Sequence, residues 1–281
     1  MIQDYECRPE DSDHGMLEVI RTYQLPVPEI YVKMEEILRF AKLEKEQNRK
    51  PFCTIPFDHT LEAGAMGGNV RYGNETAGPR AEKPICQSLE ELKAISGMDF
   101  DSGRMKETLD VCRELRKQGE EVLFQMSGPL TIWNTLIDVK HILKGIRKTP
   151  DQMEEIFGMI ETEMLRLLVS YADSAGSVRI LGPKSMEWMT RTFTAPFLKK
   201  AADILGDDMA MILCPKTVFA LIGTDLGKRG ECPLPGEMTY QEACVCAIGK
   251  AQFPSQMCIN RSGTKITNGK LMTIEIKESH A

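Results

Sequence analysis

The chain has 281 residues, enough for one large α/β domain of about 250 residues or two smaller ones. Hydrophobic residues make up 42%, charged residues 27% and aromatics 6%, which excludes a disordered or fibrous protein. The net charge of -6 argues against general nucleic-acid binding, which needs a basic footprint.

The chain has nine cysteines, and its N-terminus, MIQDYECRPEDSDHG, is acidic and polar, the opposite of a secretory signal. The most apolar stretch, Met209 to Thr224, is broken by Pro215 and Lys216, so no membrane span is expected. Free thiols in a reducing cytoplasm are the expectation. The 17 methionines fit adaptable core filler, or the lining of a specialised pocket.

Residues 1–28 read as an N-terminal extension with one short helix, ending near Pro26 and Pro28. Ile30 to Glu46 has helical periodicity, with Ile30, Met34, Ile37, Leu38 and Ala41 on one face. Thr54 to Phe57 is a predicted buried strand. It stops at Asp58-His59, and Glu62 follows within one turn. Ligands of α/β proteins bind at such carboxyl ends of strands. A second short strand is predicted at Asn69 to Tyr72.

Ser88-Leu89-Glu90-Glu91 has capping-box spacing and should open a short helix. Arg104 to Gln118 is an amphipathic helix closed by Gly119. Val122 to Met126 is a strand broken by Ser127-Gly128-Pro129. Ile132 to Lys144 is helical, and Thr149-Pro150-Asp151 should start a helix running to Tyr171.

Val178 to Leu181 and Met209 to Cys214 are further predicted strands. Between them Ser185 to Leu205 is mostly helical, with a break at Pro196. Thr217 to Leu226 and Thr239 to Lys250 read as helices, and Gly230 to Gly236 as a loop. Strands alternating with helices indicate a parallel sheet. The last residues, 264–276, depart from this rhythm. Asn268-Gly269 stands between two β-branched runs, the signal of a β-hairpin. One domain spanning 1–281 is expected.

Several segments together resemble one family. Pro56-Phe57-Asp58 through Glu62-Ala63 and Gly67 resemble a segment of the methylcobamide:coenzyme M methyltransferases. Ser127-Gly128-Pro129-Leu130-Thr131 resembles a turn shared by that family and uroporphyrinogen decarboxylase. Ala172-Asp173, Leu181-Gly182-Pro183-Lys184 and Ala195-Pro196-Phe197-Leu198-Lys199-Lys200 resemble a further block of the superfamily. The resemblance covers roughly residues 30 to 227. It implies a TIM-type (β/α)8 barrel with its site at the carboxyl ends of the strands. The usual first strand is missing or replaced by residues 1–28, and the hairpin stands where a last βα unit is expected. The barrel is therefore expected to be incomplete or closed in an unusual way.

The methyltransferase branch implies zinc, which holds the acceptor sulfur as thiolate for attack on a methyl group carried by a corrinoid. The family's ligands are a His, a Cys two residues later and a distant Cys. Cys214 matches the first Cys, but Ile212 stands at the His position and cannot bind metal. Cys258 is the candidate for the distant Cys, and His59 or Glu62 for a third ligand. The alternative reading of Cys214 is a buried free thiol.

Asp58, Glu62 and Asp173 are the expected catalytic residues. His59, Tyr72 and Lys184 are the expected substrate contacts, with Arg80, near the loop after the first segment, a further candidate. The resemblance implies a corrinoid protein or small-molecule substrate as partner. It leaves open two alternatives: uroporphyrinogen decarboxylase itself, or a non-catalytic homologue that binds a corrinoid or a partner. The arginine-rich motif of the decarboxylase is absent.

Overall fold

The structure is a computed structural model that describes residues 5–6, 14–47, 53–124, 126–167, 172–173, 188, 190–205, 227–233, 265–266 and 269–276. The chain divides into two compact units, Glu10–His141 and a second made of Met1–Pro9 with Ile142–Ala281.

The first unit is an α/β assembly. Strand β2 (Cys53–Ile55) lies parallel to β5 (Val122–Phe124), with Cys53 opposite Val122 and Ile55 opposite Phe124. Parallel neighbours need a crossover. Here it contains helix α6 (Gly103–Lys117), which packs with α3 (Met34–Gln47) over the strands. Ile37, Ala41, Cys53, Ile55, Val111 and Leu115 form one buried cluster. All three residues of β2 are buried, as expected of a strand inside a parallel sheet. A second cluster joins Val19, Ile20, Leu25, Ile30, Tyr31 and Phe40, with Phe57 and Tyr72 packed against it.

Local chemistry sets most boundaries in this unit. The N-terminal helix, α1, runs over His14–Thr22. The periodic run after Pro28 forms two helices, α2 (Glu29–Val32) and α3, because Lys33 is extended. Ser88 caps α5 (Leu89–Lys93): its hydroxyl accepts from Glu91 N at 3.2 Å, and Glu91 Oε2 accepts from Gln87 N at 2.7 Å. Gly119 follows α6 with φ +81°, as the predicted helix stop requires. The run over Ile132 to Lys144 is two helices, α7 (Pro129–Leu136) and α8 (Val139–Lys148), separated by Ile137-Asp138.

The predicted strand over Asn69 to Tyr72 is one arm of a hairpin. Strand β3 (Val70–Arg71) pairs antiparallel with β4 (Arg80–Ala81). Gly73 sits at its neck with φ +81°, and a Cβ there would lie 1.9 Å from the Ala77 carbonyl oxygen. Substituting Gly73 by Ala should therefore cost about 1–3 kcal/mol, read from denaturant unfolding. A change below about 0.5 kcal/mol, the level of a neutral surface substitution, would mean the neck rearranges freely.

In the second unit, helix α9 (Pro150–Leu167) begins at the predicted proline. Pro196, expected to break a helix, instead lies in the first turn of α10 (Ala195–Leu205), where its missing N–H is not needed. A π-helical turn, Thr190–Thr194, leads into it. Phe157 packs 5.4 Å from Trp188 and 5.2 Å from Phe193, which stacks 5.4 Å from Phe197.

The C-terminal strands are antiparallel, but their partners lie elsewhere in the chain. Lys265–Ile266 pairs with Tyr5–Glu6, and Lys270–Ile276 pairs over seven residues with Gly227–Pro233. The stretch expected as a loop at Gly230 to Gly236 thus begins inside a strand. A seven-residue ladder outweighs the turn signal of its two glycines and its proline. The predicted strands Val178–Leu181 and Met209–Cys214, and the helices Thr217–Leu226 and Thr239–Lys250, lie outside the described residues.

Candidate functional site

The buried strand β2 delivers the chain to Asp58, and the chain turns there. Asp58 Oδ1 accepts from Thr60 N at 2.8 Å and from Thr60 Oγ1 at 2.5 Å, the bonding of an Asx turn. That turn opens helix α4, Leu61–Ala65.

Arg104, in the first turn of α6, grips the same carboxylate with both ends of its guanidinium. Nη1 donates to Asp58 Oδ1 at 3.2 Å and to Thr60 Oγ1 at 3.0 Å, and Nη2 donates to Asp58 Oδ2. Nε donates to the Tyr31 carbonyl at 2.7 Å. The two side chains are only 9% and 6% exposed. Bidentate pairing fixes both partners in one geometry. The Tyr72 ring lies with its centroid 5.6 Å from Arg104 Cζ, within cation–π range.

Tyr31 is buried and its hydroxyl has no hydrogen-bond partner among the described residues. Burial first, then the nearby Asp58 charge, pushes its phenol up to about 12, against the pull of Arg104. It stays protonated at any working pH.

Glu62, on α4, is wholly buried. Its Oε1 accepts from Ser127 N at 2.7 Å, while Oε2 is buried without a hydrogen-bond partner among the described residues. Burial raises its pKa above the ordinary carboxyl range; hydrogen bonds from Ser127 oppose this, and the Asp58 charge adds to it. An ionised oxygen with no donor in a dry site is costly, and a proton on Oε2 removes that cost. Glu62 is therefore a carboxyl able to hold a proton and exchange it with a bound group.

The structure thus gathers Asp58, Glu62 and Tyr72 in the first unit, with Asp58 and Tyr72 joined through Arg104. His59 is in the same turn and is exposed. Arg80 is exposed on β4, and Asp173 falls in a two-residue strand, Ala172–Asp173, of the second unit. Lys184, Cys214 and Cys258 lie outside the described residues. Among the described residues no three His, Cys, Asp or Glu side chains are placed to hold a metal ion. Cys53, Cys86 and Cys112 are free thiols, and burial pushes Cys53 up to about 11 and Cys112 to about 12, far from reactive thiolate. Among the described residues no helix is long and apolar enough to cross a membrane.

Sequence reasoning missed Arg104 and Tyr31, and took Ser127 only as part of a turn. One signal was present for Arg104. A cation in the first turn of a helix opposes the helix dipole, so its charge must be answered elsewhere.

The family model for uroporphyrinogen decarboxylase (URO-D) matches residues 52–220, so the chain belongs to that family. The methylcobamide:CoM methyltransferase MtbA of Methanosarcina mazei is 22% identical over 209 residues, 69% of this chain and 60% of that protein. Its namesake from Methanosarcina acetivorans is 20% identical over the same shares. The chain therefore spans about three-fifths of the length of these relatives. A solved methyltransferase from Methanosarcina mazei superposes with a TM-score of 0.57 at 19% identity, covering 76% of this chain and 65% of that one; the two share a fold.

Proposed function

We propose that this chain is a methyltransferase-like member of the URO-D family, built on a (β/α)8-type barrel, that moves a methyl group from a corrinoid to a thiol or related acceptor. The observation that carries the reading is Glu62, wholly buried with Oε2 free. The relatives' names as methylcobamide:CoM methyltransferases support it.

When a methyl group passes from cobalt to a thiol, the carbon–cobalt electron pair stays with cobalt. The carbon–sulfur bond forms, and the thiol proton needs an acceptor. A carboxyl with raised proton affinity takes that proton better than an ordinary one. Glu62 in its ionised form, the minority form that a raised proton affinity makes more basic, receives it at Oε2 while the Ser127 N–H holds Oε1. The Asp58–Arg104 pair fixes the turn into α4 and so the position of Glu62. Tyr72 and His59, both on the first unit, are the proposed contacts to the acceptor.

The zinc that the family resemblance implies does not find its usual donors. Ile212 offers no nitrogen, and His59 is an exposed turn residue.

A second reading has one observation in its favour. A buried carboxyl holding a proton is also the group that would protonate the carbon left when a porphyrinogen loses carbon dioxide. Against it, Arg104 is committed to Asp58 and cannot also grip a substrate carboxylate.

Incubating the full chain with methylcobalamin and a panel of thiols separates these readings. Loss of methylcobalamin absorbance with a matching methylated thiol is expected. Carbon dioxide released from uroporphyrinogen without methyl loss would favour the decarboxylase. Binding of methylcobalamin with no methyl loss to any thiol would contradict the enzyme reading and favour a binding homologue.

A further inference from the structure

The hairpin of β3 and β4 places Arg71 directly opposite Arg80. Residues directly opposite in an antiparallel pair project from the same face, with Cβ atoms about 5 Å apart. Both arginines are exposed. Among the described residues neither guanidinium has an ion-pair or hydrogen-bond partner. Glu82, two positions along on the same face, pairs with neither. Like charges in this position destabilise a ladder. The arrangement is therefore unfavourable until something negative sits between them.

The hairpin is built to hold that arrangement. Its other face is anchored: Val70 and Tyr72 are half-buried and Pro79 is buried, and Tyr72 packs against the core cluster and Arg104. Its neck is closed by Gly73 and by the paired bonds Asn74 N to Ala77 O at 2.9 Å and Ala77 N to Asn74 O at 3.2 Å. Asn74 Oδ1 accepts from Thr76 N at 2.9 Å and Thr76 Oγ1 at 2.7 Å, ordering the tip. Asn69 Nδ2 donates to the Lys83 carbonyl at 3.1 Å, tying the base. Two planar donor forks on a rigid ribbon are pre-organised for one ligand, so little ordering entropy is lost on binding.

We propose that Arg71 and Arg80 form an oxyanion clamp for a doubly charged phosphate group. One dianion answers both charges, and its tetrahedral oxygens offer each guanidinium a bidentate face. The inference stands independently of the methyl-transfer reading, because neither Arg71 nor Arg80 has a part in that reading.

The full chain is titrated with pyrophosphate at low ionic strength, against sodium chloride of matched ionic strength, following heat of binding and Tm. Saturable binding is expected, with a rise in Tm that chloride does not reproduce. Arg71→Gln and Arg80→Gln should each weaken binding about tenfold. Both should also melt slightly higher than the parent chain without phosphate, because the repulsion is gone. Arg113→Gln, an exposed arginine on α6 paired with Asp110, should bind as the parent does. Equal Tm shifts from pyrophosphate and chloride would overturn the clamp. So would unchanged binding in the double variant, or binding of an acidic polypeptide with no binding of pyrophosphate.

Discussion

Arg104→Ala should lower the unfolding free energy by about 3–5 kcal/mol, as breaking a buried ion pair does. The loss is large because of what remains behind. Asp58 is only 6% exposed, and without Arg104 its charge keeps only the two Thr60 donors. The Tyr31 carbonyl and the Tyr72 ring also lose their cation. The double variant Asp58→Asn with Arg104→Met separates the pair's geometry from its charge. Asn keeps an oxygen for Thr60 N, and Met fills the space without charge. The double variant should therefore be clearly more stable than Arg104→Ala, since burying neither charge costs less than burying one alone. Urea unfolding of the three chains measures this. If Arg104→Ala lies within about 1 kcal/mol of the parent, as an exposed pair would, the ion pair is not the anchor of the site.

The second large effect concerns activity. Glu62→Gln should lower the rate of methyl transfer by about 10²–10⁴-fold, the usual contribution of a positioned proton acceptor. The amide keeps an oxygen for the Ser127 N–H, so the fold is retained while the exchangeable proton is lost. Stability should move the other way, and its pH dependence follows from the sign of the shift. The folded-state pKa of Glu62 is raised. Below the unfolded value both states are protonated and the group has no effect. Above it the unfolded chain gains from ionising while the folded chain does not, so stability falls until the folded pKa is passed. Glu62→Gln removes this fall. The variant should match the parent most closely in acid and gain on it as the pH rises past the ordinary carboxyl range. Unfolding midpoints across pH check the trend. A variant with full activity, or a gap that closes with rising pH, would count against the role given to Glu62.

Much of the first unit was legible because its signals are local. Ser88 with Glu91 and Gly119 at a helix end each act within one turn of chain and stand where expected, as does Pro150 at a helix start in the second unit. The run ending at Asp58 and the placing of Glu62 one turn later were legible for the same reason, and the segment that carries them also disclosed the family.

What was missed depends on partners far along the chain. Arg104 answers Asp58 across 46 residues, and Ser127 reaches Glu62 across 65. No window of sequence contains both members of either pair. The strand at Gly227–Pro233 is a similar case. Its glycines and proline suggest a loop, and only the seven-residue partner at Lys270–Ile276 makes it a strand. The Asn268-Gly269 turn signal correctly marked an antiparallel end, but pairing partners are set by the whole chain.

His59 illustrates how a plausible chemical type is separated from a chemical role. In the sequence it stood beside Asp58 as a potential ligand. In the structure Asp58 is drawn inward by Arg104 while His59 is exposed. Glu62, which the sequence already marks as a catalytic candidate one turn later, is the buried one.

The claim on which the account rests is that Glu62 holds a proton beyond the ordinary carboxyl range. Carbon-13 NMR of the glutamate carboxyl carbons, titrated with pH and assigned by the signal missing in Glu62→Gln, reads this directly. The Glu62 signal is expected to titrate clearly above about 4.3, the value of an exposed glutamate. A midpoint at or below that value would contradict it.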